Sequence, residues 1–274
     1  MYKVAVVQFK PEFLQVEKNL QKIESLCKDI KADLIVLPEL VTSGYVFQNK
    51  AELDAVCEYV PKGMSFRFFN ELSSKLDASV VFGFPEKSGE RIYNSSILIN
   101  PDENYYVYRK THLFYREKLF FSPGDTGLFV CEAKDGVKIG MMICFDWQFP
   151  EAARALALNG SQIICHPANL VMPWCQQSMI TRSLENRVFS ITANRIGTEV
   201  NGDISINFTG QSQILGMKGE ILARLSTDKE EVSVVEIDPN QAKDKSITEM
   251  NDAFNDRRPA FYADLVKPKR RDTP

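Results

Sequence analysis

Several common signatures are missing from this sequence, and each absence closes off a class of protein. The six cysteines, at positions 27, 57, 131, 144, 165 and 175, form no Cys-x-x-Cys pair, which argues against a zinc knuckle and against a small secreted disulfide framework. Only two histidines are present, His112 and His166. No apolar stretch approaches membrane-spanning length, and Met1-Tyr2-Lys3 leads into a short strand pattern without the apolar core of a signal peptide. With a formal net charge of -3 there is no basic field for nucleic acid, and the one compact basic run, Lys267 to Arg271, reads as solvated. A soluble, cytoplasmic protein with neither nucleic-acid nor membrane partners is expected.

Linkers are missing too. No Gly/Ser or Pro tract, low-complexity segment or composition change divides the 274 residues, so one domain over 1–274 is expected, with 264–274 as a C-terminal tail. Within it, strand-like and helix-like segments alternate as in an α/β protein. Strands are expected at Tyr2 to Phe9, Leu34 to Leu37, Ser79 to Phe84, Ile92 to Ile99 and Tyr105 to Arg109. Further on they fall at Leu128 to Cys131, Val137 to Ile143, Gln162 to Cys165, Val188 to Ala193, Gln213 to Leu215, Ile221 to Leu225 and Val232 to Ile237. Helical patterns cover Glu17 to Ile30, Ser65 to Leu76, Pro150 to Leu158 and Met179 to Arg187, the first carrying Leu20, Ile23, Leu26, Cys27 and Ile30 on one stripe. The segments Ala32 to Glu39 and Gly160 to Pro167 share a pattern of apolar strand, polar residue and proline, a hint of internal duplication.

Cys144 lies where the strand-like run ending at Ile143 gives way to a helix-like one. A thiol at such a turn faces backbone N–H groups that favour a thiolate and an oxyanion beside it. Glu39 and Lys110 also follow the ends of apolar strand patterns, and ligand sites of α/β sheets collect outside those ends. Taken singly, each has an ordinary reading: Cys144 as a small buried residue, Glu39 as a strand-end cap, Lys110 as a surface cation. Taken together, a carboxylate, an ammonium and a thiol suit acyl transfer with water as final acceptor.

Leu37-Pro38-Glu39, Arg109-Lys110-Thr111-His112-Leu113 and Met142-Ile143-Cys144-Phe145-Asp146 resemble, in order and spacing, the three catalytic motifs of the nitrilase superfamily of carbon-nitrogen hydrolases. The resemblance extends to Tyr93-Asn94-Ser95, Phe121-Ser122-Pro123-Gly124-Asp125, Phe149-Pro150-Glu151, His166-Pro167-Ala168-Asn169, Leu184-Glu185-Asn186-Arg187 and Asp256-Arg257-Arg258-Pro259. It implies a four-layer α-β-β-α sandwich, a Glu39-Lys110-Cys144 triad with Glu117 as a second glutamate beside it, and subunits paired as homodimers or higher homo-oligomers. Pro150 to Leu158 and Met179 to Arg187 are the candidate dimer helices.

The chemistry this implies has Glu39 as base, Cys144 as nucleophile, and Lys110 with the Phe145 backbone N–H stabilising the oxyanion, with no metal or organic cofactor. Tyr45, Phe114, Tyr115, Phe145, Trp147, Asn169, Met172 and Trp174 are the candidate pocket residues. The expected substrate is a small amide, since many nitrilases carry Trp-Glu after the nucleophile where this chain has Phe145-Asp146-Trp147. A nitrile or a carbamoyl amide is the alternative. Two rival classes are a Cys-His hydrolase pairing Cys144 with His112 or His166, and a catalytically silent scaffold.

Overall fold

In the computed structural model, which describes residues 1–268, apolar runs become strands buried on both faces. Among the described residues, fourteen strands form two six-stranded sheets and a separate hairpin. The first sheet contains β1 (Tyr2–Gln8), β2 (Leu34–Val36), β3 (Ser79–Ser88), β4 (Arg91–Ile99), β5 (Tyr105–Arg109) and β14 (Glu231–Ile237), in the order β14-β1-β2-β3-β4-β5. The second contains β6 (Val130–Glu132), β7 (Lys138–Met141), β8 (Ile163–Pro167), β9 (Phe189–Ala193), β12 (Gln213–Leu215) and β13 (Ile221–Arg224), in the order β13-β12-β9-β8-β7-β6. The hairpin pairs β10 (Ile196–Asn201) with β11 (Ile204–Thr209).

Strand alternation decides the layering. In β1 and β2, Val4, Val6, Leu34 and Val36 face the second sheet, while Ala5, Val7 and Ile35 face outward. The outward set is covered by helices α1 (Val16–Cys27) and α3 (Met64–Leu76) through Leu20, Ile23, Cys27, Phe69 and Leu72. On the far side, α4 (Pro150–Leu158) and α5 (Cys175–Asn186) cover the second sheet through Ala152, Ala153, Leu156, Cys175 and Met179. The result is the four-layer α-β-β-α sandwich. A short helix, α2 (Lys50–Asp54), lies outside the four layers' sequence pattern and was not anticipated.

The two sheets repeat one plan. Read from β14, successive pairings run antiparallel, parallel, parallel, antiparallel, antiparallel, and read from β6 they run the same way. The two segments with shared sequence pattern supply β2 and β8, which hold the third place in each sheet.

Most element boundaries differ from expectation for local reasons. The helix expected over Glu17 to Ile30 stops at Cys27, and Ile30 reaches the core from a turn closed by its own N–H on the Cys27 carbonyl. The strand expected through Ile143 stops at Met141, because Asp146 takes the Ile143 N–H. The helix expected from Met179 begins at Cys175 and ends before Arg187, which takes a left-handed φ of 47°. The β10-β11 hairpin is not among the expected strands: β10 carries Gly197, Thr198 and Glu199 in a row, whereas β11 does alternate, with Ile204, Ile206 and Phe208 against Ser205, Asn207 and Thr209. Of the expected tail, Ala263–Val266 forms a single 3-10 turn with exposed side chains, and 269–274, with the end of the basic run, lies outside the described residues. No helix of the described residues is long and apolar enough to cross a membrane.

Candidate active site

Glu39 lies just beyond β2, Lys110 directly after β5, Cys144 just beyond β7 and Asn169 just beyond β8. Two glycines let these segments approach. A Cβ on Gly83 would sit 2.6 Å from the Glu39 Cα, and one on Gly124 would collide with the Arg109 carbonyl and lie 2.7 Å from that of Lys110. Gly83 instead bonds the Pro38 carbonyl at 3.0 Å, and Gly124 the Lys110 carbonyl at 2.9 Å.

The fully buried ammonium of Lys110 is held between two carboxylates. Its Nζ donates to Glu39 Oε1 at 2.7 Å and to Glu117 Oε1 at 2.8 Å. Tyr45 donates its hydroxyl to the same Glu117 oxygen at 2.7 Å, and Phe114 N–H donates to Glu117 Oε2 at 3.2 Å. Asn94 donates to Glu39 Oε1 at 2.7 Å, leaving Glu39 Oε2 buried with no partner in the protein. Burial by itself lowers the Lys110 pKa, but the carboxylates of Glu117 and Glu39 overcome that and hold it well above the ordinary lysine value. Burial pushes Glu39 above the usual carboxylate range, and Glu117 adds to it, against the pull of Lys110 and Asn94. One oxygen of a carboxyl group with a raised pKa is thus left without a partner in the protein.

Cys144 has a φ of 41°, in the left-handed region that costs a non-glycine residue about 1–3 kcal/mol, so surrounding bonds must enforce it. Asp146 is one such brace. Its Oδ2 accepts from Ile143 N–H at 2.9 Å and from the Tyr108 hydroxyl at 2.8 Å, and its Oδ1 from His112 N–H at 3.1 Å and His112 Nδ1 at 2.7 Å. Asp146 therefore ties the turn bearing Cys144 to the strand end bearing Lys110. The turn is 3-10 over Cys144–Gln148, and α4 begins only at Pro150, so the expected helix N-terminus stands one turn away from the thiol. Leu40 and Tyr115, beside Glu39 and Glu117, also have positive φ, at 46° and 45°.

Neither histidine is placed as a base for the thiol. His166 donates from Nε2 to the Cys144 carbonyl at 2.9 Å and accepts at Nδ1 from Thr192 at 3.2 Å, which fixes its neutral tautomer. Burial pulls its pKa down to about 4. His112 is committed to Asp146 and stacks on Phe149, with ring centroids 3.7 Å apart. The thiol itself makes a 3.8 Å contact to the Asn169 carbonyl. Burial raises its pKa well above the free value, with Glu39 adding to the effect and Lys110 opposing it, which favours the protonated thiol.

Two adjoining cavities lead to this centre. A small chamber of about 40 Å³ is lined by Cys144, Phe114, Phe145, Trp147, Asn169 and Met172. Asn169 is 1% exposed, yet neither its side-chain oxygen nor its nitrogen has a partner in the protein. A vestibule of about 370 Å³ is lined by Tyr45, Tyr115, Glu117 and the β11 residues Ile204 to Asn207, and it shares Phe114 and Val171 with the chamber. Of the expected pocket residues, Trp174 lines neither cavity: it precedes α5 and is 58% exposed. Tyr115 lines the vestibule only, 71% exposed.

The sequence reading named no individual role for Asn94, for Arg116 on the vestibule wall, or for Asp146 as a brace. Asn94 and Asp146 lie within motifs that resemble the family's, but nothing in their spacing announces what they bond. The described residues contain no cluster of His, Cys, Asp or Glu able to hold a metal ion.

Comparison with known proteins agrees with this architecture. The family model described as carbon-nitrogen hydrolase matches residues 3–245. A nitrilase of Pyrococcus abyssi is 43% identical over 96% of this chain and 99% of its own length. An (R)-stereoselective amidase of a Pseudomonas species is 34% identical over 83% and 80%. A carbon-nitrogen hydrolase of Helicobacter pylori superposes with a TM-score of 0.85 at 28% identity, covering 97% of this chain and 98% of its own. The chain belongs to the carbon-nitrogen hydrolase family, the nitrilase superfamily, and is an enzyme of that kind.

Proposed function

We propose that this enzyme hydrolyses a small amide through a thioester on Cys144. The observation that carries the reading is the Lys110 ammonium between Glu39 and Glu117, with Glu39 Oε2 unpartnered and the Cys144 thiol, on a strained backbone, within the electrostatic influence of Glu39 and Lys110. Glu39 takes the thiol proton as sulfur attacks the carbonyl carbon. The new oxyanion is stabilised by Lys110 and the Phe145 backbone N–H. The proton on Glu39 passes to the nitrogen, the C–N bond breaks, and ammonia or an amine leaves. Glu39 then deprotonates a water that attacks the thioester, and its proton returns to sulfur as the carboxylic acid departs. Glu117 keeps the ammonium in place through its bonds to Lys110 and Tyr45. Asn169, with both amide atoms free, binds the polar end of the substrate.

Nitrile hydrolysis is the second reading, favoured by the near full-length match to a protein named nitrilase. The Asp146 that distinguishes this chain from many nitrilases is buried and bonded to Ile143, Tyr108 and His112, so it argues about bracing and says little about substrate. The test is ammonia release from a panel of short amides and nitriles, with product analysis for acid or amide. Amide turnover that vanishes in Cys144→Ala supports the first reading, nitrile turnover alone the second, and no release from any compound contradicts both. The proposed dimer would use α4 and α5, which present Leu158 and Leu184 to solvent, and a stable monomer by light scattering would overturn it.

A further inference from the structure

We propose that the vestibule receives an acyl chain ending in a carboxylate, gripped by Arg116, so that the substrate is the monoamide (or mononitrile) of a dicarboxylic acid. This rests on the reading of the site as an acyl-transfer centre and specifies its substrate class.

The vestibule wall is apolar over most of its extent, with Val46, Phe47, Phe120, Ile204 and Ile206 on it. The charged residues on that wall are Glu117 and Arg116. Glu117 is already satisfied by Lys110, Tyr45 and Phe114. Arg116 is different: its Nε is buried without a partner, and its guanidinium enters no hydrogen bond or ion pair among the described residues. Arg116 as a whole is half-buried, whereas the fully buried cations Lys110 and Arg195 are both paired, the latter with Glu199 at 2.7 Å.

A guanidinium facing an apolar cavity has lost part of its hydration and gains most from an anion brought into the same cavity. Its planar fork matches a carboxylate, with which it forms two parallel bonds. A phosphate dianion would ask for more donors than a single arginine offers here. An amine-bearing acyl chain would meet an unpaired cation and no free acid, so the same wall selects against it. The route exists because Phe114 and Val171 belong to both linings: an acyl carbon at Cys144 can continue into the vestibule past those two side chains.

The experiment compares succinamate, glutaramate and adipamate with neutral straight-chain amides of equal length, on the wild-type enzyme and on Arg116→Gln. The wild type is expected to favour the best carboxy amide by at least about tenfold in kcat/KM, a typical return on one charged pair. Arg116→Gln should lower kcat/KM for the carboxy amides at least about tenfold more than for the neutral ones, through KM, with Arg116→Lys recovering part of the loss. A wild-type preference for neutral amides, or equal losses on both series, overturns the proposal. If no amide or nitrile is turned over, the acyl-transfer reading fails separately. Calorimetry of glutarate against pentanoate with Cys144→Ala then decides: tighter glutarate binding that disappears on adding Arg116→Gln supports the carboxylate site, and equal binding overturns it.

Discussion

Tyr108 and Asp146 are 38 positions apart, and the Tyr108 hydroxyl donates to Asp146 Oδ2 at 2.8 Å. This bond joins the strand that delivers Lys110 to the turn that delivers Cys144. Tyr108→Phe should destabilise the fold by about 1–3 kcal/mol, since it leaves a buried carboxylate short of a donor. It should also lower kcat more than it raises KM. Urea unfolding and steady-state kinetics check both, and a variant with wild-type stability and kcat would show that the bond has no positioning role.

Lys110→Ala removes the charge that the proposed oxyanion needs and leaves Glu39 and Glu117 facing each other. The expected loss in kcat is on the order of a hundredfold or more. An unimpaired variant would take Lys110 out of the mechanism.

The elevated pKa of Glu39 sets a direction for the pH profile. A base works only when deprotonated, so kcat/KM should climb with pH through the raised Glu39 value, above the ordinary carboxylate value of 4.5. An acid limb centred at or below 4.5 would point to a different base.

Asn169 should separate stability from function. Its two amide atoms are unpartnered in the protein, and leaving a buried polar group unpaired costs about 1–3 kcal/mol. Asn169→Leu is therefore expected to be as stable as the wild type or more so, while KM rises at least about tenfold if the amide binds substrate. Loss of stability with unchanged KM would give Asn169 a structural role only.

His166 is expected to make the fold acid-sensitive. Its pKa falls from 6.5 when unfolded to about 4 when folded, so the unfolded chain binds the extra proton between those values. Stability is complete above 6.5 and declines as pH falls toward 4, by roughly 3 kcal/mol at full effect. Urea midpoints for the wild type and His166→Gln over that window should differ in slope, the variant being flatter. Parallel slopes would assign the acid sensitivity to other groups.

The primary structure by itself determined the α/β alternation and the strand ends, while the four-layer arrangement was implied by the family resemblance. Leu34 to Val36 and Ile163 to Cys165 are apolar at every position, so both faces must be covered, and a sandwich of covered sheets answers that demand. The motifs around Glu39, Lys110 and Cys144 were legible because strand ends are marked locally by polar residues and proline. Tertiary structure alone decided which oxygen is free and which cation is unpaired. Glu39 Oε2 is left over only because Asn94 and Lys110, 55 and 71 positions away, both chose Oε1. Arg116 and Glu117 are neighbours in the chain with opposite fates, one unpaired on a cavity wall and the other locked to Lys110. Hydrogen bonds and ion pairs between distant residues depend on ångström placement that no local pattern encodes, and the chemistry of this site is made of such bonds.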